Sequence, residues 1–134
     1  MEGLLSMNEM EKQEGAGGSE ILMKSLLEMA VEAWRFSKVF ERVIMKLDAG
    51  ETARYLGQYR WYIKRMEELL EDAECKLVIV EGHPYDPGMA VTPLNIDEFD
   101  QSDKLIVDQM LAPIIMRKNC LMKMGTVTLR KVEK

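Results

Sequence analysis

The sequence predicts an α+β protein: an N-terminal helical hairpin that pairs with a second copy as a dimeric four-helix bundle, followed by a small C-terminal β domain. From Leu22 to Leu47, apolar residues recur at alternating steps of four and three: Leu22, Leu26, Met29, Ala33, Phe36, Phe40, Val43 and Leu47. After Asp48-Ala49-Gly50 the alternation resumes at Leu56, Tyr59, Ile63, Met66, Leu70 and Ala73. A period of about 3.5 residues places each set on one narrow helical seam, the geometry of knobs-into-holes packing. From Lys76 onward the pattern changes to short β-rich runs between Pro and Gly turns.

Residues 1–18 mix polar and acidic side chains and end in Gly15-Ala16-Gly17-Gly18, a composition that predicts a disordered tail. Ser19 suits an N-cap, with Glu20 in the first turn where the helix dipole favours an anion. Residues 19–75 form the helical region, with helices expected over 20–47 and 51–74. Gly57, inside the second helix, costs about 1 kcal/mol relative to Ala, and a close helix approach is the expected reason for it. Glu67, Glu68, Glu71, Asp72 and Glu74 gather at the helix end that favours cations. They read either as a solvated face or as a patch facing a basic partner surface.

Leu27, Val31, Trp34, Val39 and Ile44 flank the heptad seam and widen its apolar surface. Burying a large apolar side chain is worth roughly 1.5–3 kcal/mol, against about 1–2 kcal/mol of backbone entropy per ordered residue, so this surface needs a cover. A second copy supplies one, and the β domain of the same chain is the alternative. The homodimer reading makes Leu26, Met29, Trp34, Phe36, Phe40, Val43, Tyr59, Ile63 and Met66 the interface.

Residues 76–134 form the β domain. Residues 77–80 are a short strand or the helix exit, and 82–88 are a turn punctuated by Pro84 and Pro87. A strand over 89–94 is interrupted at Pro93, and an acidic loop over 95–103 precedes a strand at 105–111. Pro113 is expected to keep Ile114-Ile115-Met116 near a sheet edge. Arg117-Lys118-Asn119 makes a hairpin turn, and Gly125 starts or bulges a last strand over 126–132.

The formal net charge of −5 argues against a nucleic-acid partner, which demands a concentrated basic surface. Cys75 and Cys120 are too few for a disulfide framework, and with His83 they match no metal-ligand spacing, so neither metal nor cofactor is expected. An enzyme working through Cys120 lacks any catalytic spacing around the thiol. No secretory pattern opens the chain and no apolar run approaches the roughly 20 residues that span a bilayer, which predicts a cytoplasmic protein with no membrane partner. Met110, Met116, Met122 and Met124 cluster in the last third, either as core filling or as an adaptable contact patch.

The C-terminal third carries a family likeness. Gly82 and Tyr85-Asp86-Pro87 follow the helices, Ala90-Val91 opens a strand, and Val127-Thr128-Leu129 closes the chain's last strand. Together with Phe40-Glu41-Arg42-Val43 in the first helix, this order resembles the GrpE family of nucleotide-exchange factors over roughly residues 25–134. That family has a Gly and a Phe/Leu-Asp-Pro turn, a His-x-Ala-Val segment, a terminal Val-x-Val strand and a Leu-Glu-Arg bundle helix. The sequence departs from it at Gly88, where the family has His, and at Ile114-Ile115, where it has Gly-Tyr. The family's Arg-x-Leu/Ile-Arg-Pro segment becomes Cys120-Leu121-Met122-Lys123-Met124, without its first arginine. With fewer than twenty residues before Ser19, the long N-terminal coiled coil is expected to be missing.

The resemblance implies a non-enzymatic co-chaperone. A dimer would press its β domain on the nucleotide-binding domain of a DnaK-type chaperone, hold the cleft open and let ADP leave. Pro113, Ile115, Met116, Arg117, Met122 and Lys123 are the implied contact residues. A dimeric adaptor that binds without driving exchange is the alternative.

Overall fold

A computed structural model describes residues 7–132, with side-chain placement from Gly17 onward. Two helices, α1 (Met7–Ile44) and α2 (Ala49–Asp72), precede six strands: β1 (Cys75–Val78), β2 (Val91–Pro93), β3 (Leu105–Ala112), β4 (Ile114–Arg117), β5 (Cys120–Lys123) and β6 (Gly125–Lys131). The α+β class holds. No described helix is long and apolar enough to cross a membrane.

The helix boundaries differ from the expected ones for local reasons. Ser19 is inside α1 and not its cap, because the Met-, Glu-, Lys- and Gln-rich stretch before it favours helix and carries it through the glycines. Of the expected disordered tail, residues 1–6 lie outside the described residues and the rest is helical. Asp48 caps α2, its Oδ1 accepting the Glu51 N–H at 2.9 Å. The Thr52 hydroxyl lies 3.1 Å from both the Ile44 and Leu47 carbonyls and can donate to either, tying the start of α2 back to the end of α1. At the other end α2 stops at Asp72, and Glu74 turns the chain into β1 with a positive φ of 61°. Gly57 has open space where a Cβ would stand, so close helix approach within the chain does not explain it.

The strands form two three-stranded sheets, ordered β1-β4-β5 and β2-β6-β3. Successive residues of a strand point to opposite faces, and β4 uses both. Ile115 packs with Leu27, Ala30, Val31, Leu70 and Cys75 on the helical side. Ile114 packs with Val91, Val107, Met110, Val127 and Leu129 between the sheets. The molecule is therefore layered as helices, first sheet, second sheet, and Trp34 reaches from α1 into the inter-sheet core. Pro113 does not hold β4 at an edge as expected: β4 is the central strand. The proline precedes the strand in the tight corner from β3, so its missing N–H leaves residues 114–117 able to pair on both sides.

Turn chemistry fixes the rest. Lys118 and Asn119 both have positive φ (49° and 68°), the requirement of a two-residue type I′ hairpin between β4 and β5. Gly125 starts β6 because a Cβ there would meet Ile114, Met110 and the Ala112 carbonyl at 3.0–3.1 Å. The Asn95 side chain extends β2 along β6, its amide donating to the Leu129 carbonyl (2.9 Å) and accepting the Leu129 N–H (2.8 Å).

Candidate interaction surfaces

The heptad seam of α1 lies open. Leu22, Met29, Phe36 and Val43, seven residues apart, are 71, 72, 66 and 51% exposed. Leu26 and Phe40 on α1 and Tyr59, Ile63 and Met66 on α2 are half-buried beside them. Trp34 is the exception among the expected interface residues: at 4% exposed it is core, because it sits one step around the helix on the side that faces the β domain. The alternative cover, the chain's own β domain, thus takes the flanking stripe of Leu27, Val31 and Trp34.

Between the helices the open face is concave. Leu26, Met29, Ala33, Trp61, Tyr62 and Leu69 line a groove of about 320 Å³. It adjoins a second of about 350 Å³ between Phe36, Phe40, Tyr59, Trp61 and Tyr62. Trp61, 65% exposed, and Leu69 were not among the expected interface residues. Trp61 lies two positions from the seam residues Tyr59 and Ile63, and Leu69 one position before Leu70, so the seam alone gave no reason to choose them. Below the groove, burial and then the nearby Glu41 carboxylate push the Tyr59 phenol up to about 12. Ser37, also against Tyr59, is buried, and its hydroxyl donates to the Trp34 carbonyl at 2.6 Å.

The β4–β5 hairpin is docked on the helices more firmly than the expected contact surface requires. Pro113 and Ile115 are fully buried, so neither side chain presents a contact surface to a partner. Both are consumed by the corner and the helix-facing core. Arg117 donates from Nε to the Ala73 carbonyl at 3.1 Å. Lys123 is ion-paired with Glu28 of α1, whose carboxyl is held below its usual range by that hydrogen bond and charge. Met116 packs on the inter-sheet core and Met122 on the helix-facing core, each half-buried. The hairpin surface left in the open comprises Lys118, Asn119, Cys120, Leu121 and Met124.

The motif residues that carry the family likeness are structural here. Asp86 Oδ1 accepts the Gly88 N–H at 3.1 Å, closing the Asp-Pro turn, and Val91 is buried opposite Gly125 at the start of the β2–β6 pairing. Cys75 and Cys120 are both register partners of Arg117, one on each side of β4. Two strand spacings, about 10 Å, separate them, well beyond the reach of a disulfide. Cys75 is buried and Cys120 exposed. Among the described residues no group of three or more His, Cys, Asp or Glu side chains is arranged to hold a metal ion.

No family model matches the chain, and neither a curated protein nor a solved structure matches it.

Proposed function

We propose that this chain is a GrpE-like exchange factor of the cytoplasm. In this reading it dimerises through the open face of its helical hairpin and holds the nucleotide-binding domain of a DnaK-type chaperone open, so that ADP leaves without any covalent step. The observation that carries the reading is the docking of the β domain. Ile115, the Arg117–Ala73 hydrogen bond and the Lys123–Glu28 pair fasten the β4–β5 hairpin to both helices, while Leu121 and Met124 stay exposed. A surface held in place before binding loses little conformational freedom when it binds, which leaves more of its contact energy for favouring the open partner. Swinging such an equilibrium from 1:99 to 99:1 needs about 5.5 kcal/mol, within reach of a few hot spots worth 2 kcal/mol or more each. The contact residues proposed are Lys118, Leu121 and Met124, with Met116 and Met122 at their margin.

The adaptor reading has one observation in its favour: Lys123, the cation that stands in the family's arginine-containing segment, is already engaged by Glu28. Release of labelled ADP from a DnaK-type protein of the same organism separates the two. Wild-type and Cys120→Ser protein should accelerate release alike, and Leu121→Ala/Met124→Ala should slow it about tenfold with the helices intact. Binding without acceleration would establish the adaptor, and no binding would end the chaperone reading.

A further inference from the structure

An open strand edge is a template for another chain, and folded proteins block theirs with bulges, prolines, charges or covering segments. Three of the four sheet edges here are blocked. Residues 82–85 cover β3, with Tyr85 N–H donating to the Leu105 carbonyl (2.9 Å) and Val107 N–H to the His83 carbonyl (2.9 Å). β2 is three residues long and ends in Pro93. β5 breaks register with β4 between Ile115 and Met116, leaving Met122 as a bulge. β1 is different. Its four residues pair with β4 in unbroken register, and among the described residues its other edge has no backbone partner.

Beside that edge runs a groove of about 560 Å³ between β1 and the last turns of α2. Its floor is Leu70, Cys75 and Leu77, its wall carries Glu67 and Glu71, and among the described residues Lys76 is its one cation, so the carboxylates outnumber it two to one. Neither carboxylate is ion-paired among the described residues, whereas nearby Glu68 and Glu74 pair with Arg65 and Lys118. Glu67 and Glu71 are one turn apart, a rise of about 6 Å, and alternate residues of a strand are about 6.7 Å apart. Cations at alternate positions of an added strand therefore match the carboxylates, their aliphatic stems lying on the apolar floor. The intervening residues would face the side on which half-buried Val78 packs against the inter-sheet core, where an apolar residue is favoured.

We propose that the outer edge of β1 takes up, as an added strand, an extended segment of a partner protein with Lys or Arg at alternate positions and apolar residues between them. The proposal stands independently of chaperone binding. Its probe is a fluorescein-labelled Lys-Val-Lys-Val-Lys-Val peptide, followed by anisotropy together with amide hydrogen exchange of the full chain. The peptide should bind saturably and slow exchange at residues 75–79. Replacing the central Val of the peptide with Pro, or using Glu67→Lys/Glu71→Lys protein, should each weaken binding about tenfold, the first through backbone pairing and the second through charge. Both carboxylates are exposed, and circular dichroism of the double variant checks that it folds. Equal binding of the Pro peptide would reduce the effect to charge alone and overturn the proposal, as would no binding at all. Protection of residues 75–79 that rises with protein concentration in the absence of peptide would assign the edge to a second copy and equally overturn it.

Discussion

Along α1, Leu27, Val31, Trp34 and Ile44 are buried while Met29, Phe36 and Val43, one or two helical steps away, lie in the open. Both stripes repeat at about 3.5 residues, so both have the spacing of a packing seam. They differ in what covers them. The first is closed by the chain's own strands and α2, while the second lines the outer groove with Trp61, Tyr62 and Leu69. Two seams of equal periodicity on one helix make the same packing demand, and the chain itself covers one of them.

The comparison breaks most visibly at Trp34. Trp34→Ala should cost about 3–5 kcal/mol of folding stability, because it empties a large site between α1 and the second sheet. Phe36→Ala, two residues on, should leave the stability of the dilute monomer within about 0.5 kcal/mol. Denaturant unfolding at low protein concentration measures both. Similar losses for the two variants would mean that the outer stripe is also part of the chain's own core.

The outer stripe is tested by association. Light scattering at roughly tens of micromolar should find a dimer, a concentration at which an obligate bundle stays associated. Trp61→Asp should weaken association by about 2 kcal/mol or more, some thirtyfold, with the monomer still folded. A wild-type monomer at that concentration would leave the groove without a second copy to fill it.

How much of this could be read in the sequence depends on which physical signal each feature left. The hairpin, the change to strands after Asp72 and the Asp86-Pro87 turn each follow from local patterns of period, capping and turn chemistry, and the fold follows those patterns closely. Which of two adjacent stripes faces inward is not local: one residue of offset turns a helix position by about 100°, and only the placement of β3 and β6 decides that Trp34 is core. Pro113 and Ile115 misled for the same reason. A proline before a short apolar run looks like an edge strand, yet the corner after Ala112 turns that run into the centre of a sheet with a core on each side. The vacant edge of β1 left no local signal, because an open edge is defined by a neighbour that the topology fails to supply.

The smallest expected effect probes where the two stripes meet. Tyr59 lies at the outer groove with Glu41 and Ser37 beside it, the latter on the buried side of α1. Burial and the Glu41 carboxylate disfavour the phenolate, raising the group from its usual value near 10 to about 12. A group whose pKa is raised by folding contributes its stability in full below the unfolded value and loses it as pH rises through the folded one. Thermal stability should therefore fall between about pH 10 and 12, and Tyr59→Phe should flatten that fall relative to wild type. Because the phenol is only part-buried, solvent screens much of the effect and the difference is a modest shift in melting temperature. Ultraviolet titration at 295 nm checks the assignment directly: one tyrosine of four should ionise late, and only in the protein that retains Tyr59. If all four ionise together near 10 in the folded protein, Glu41 and Tyr59 are not held against each other, and the two stripes are not joined at this point.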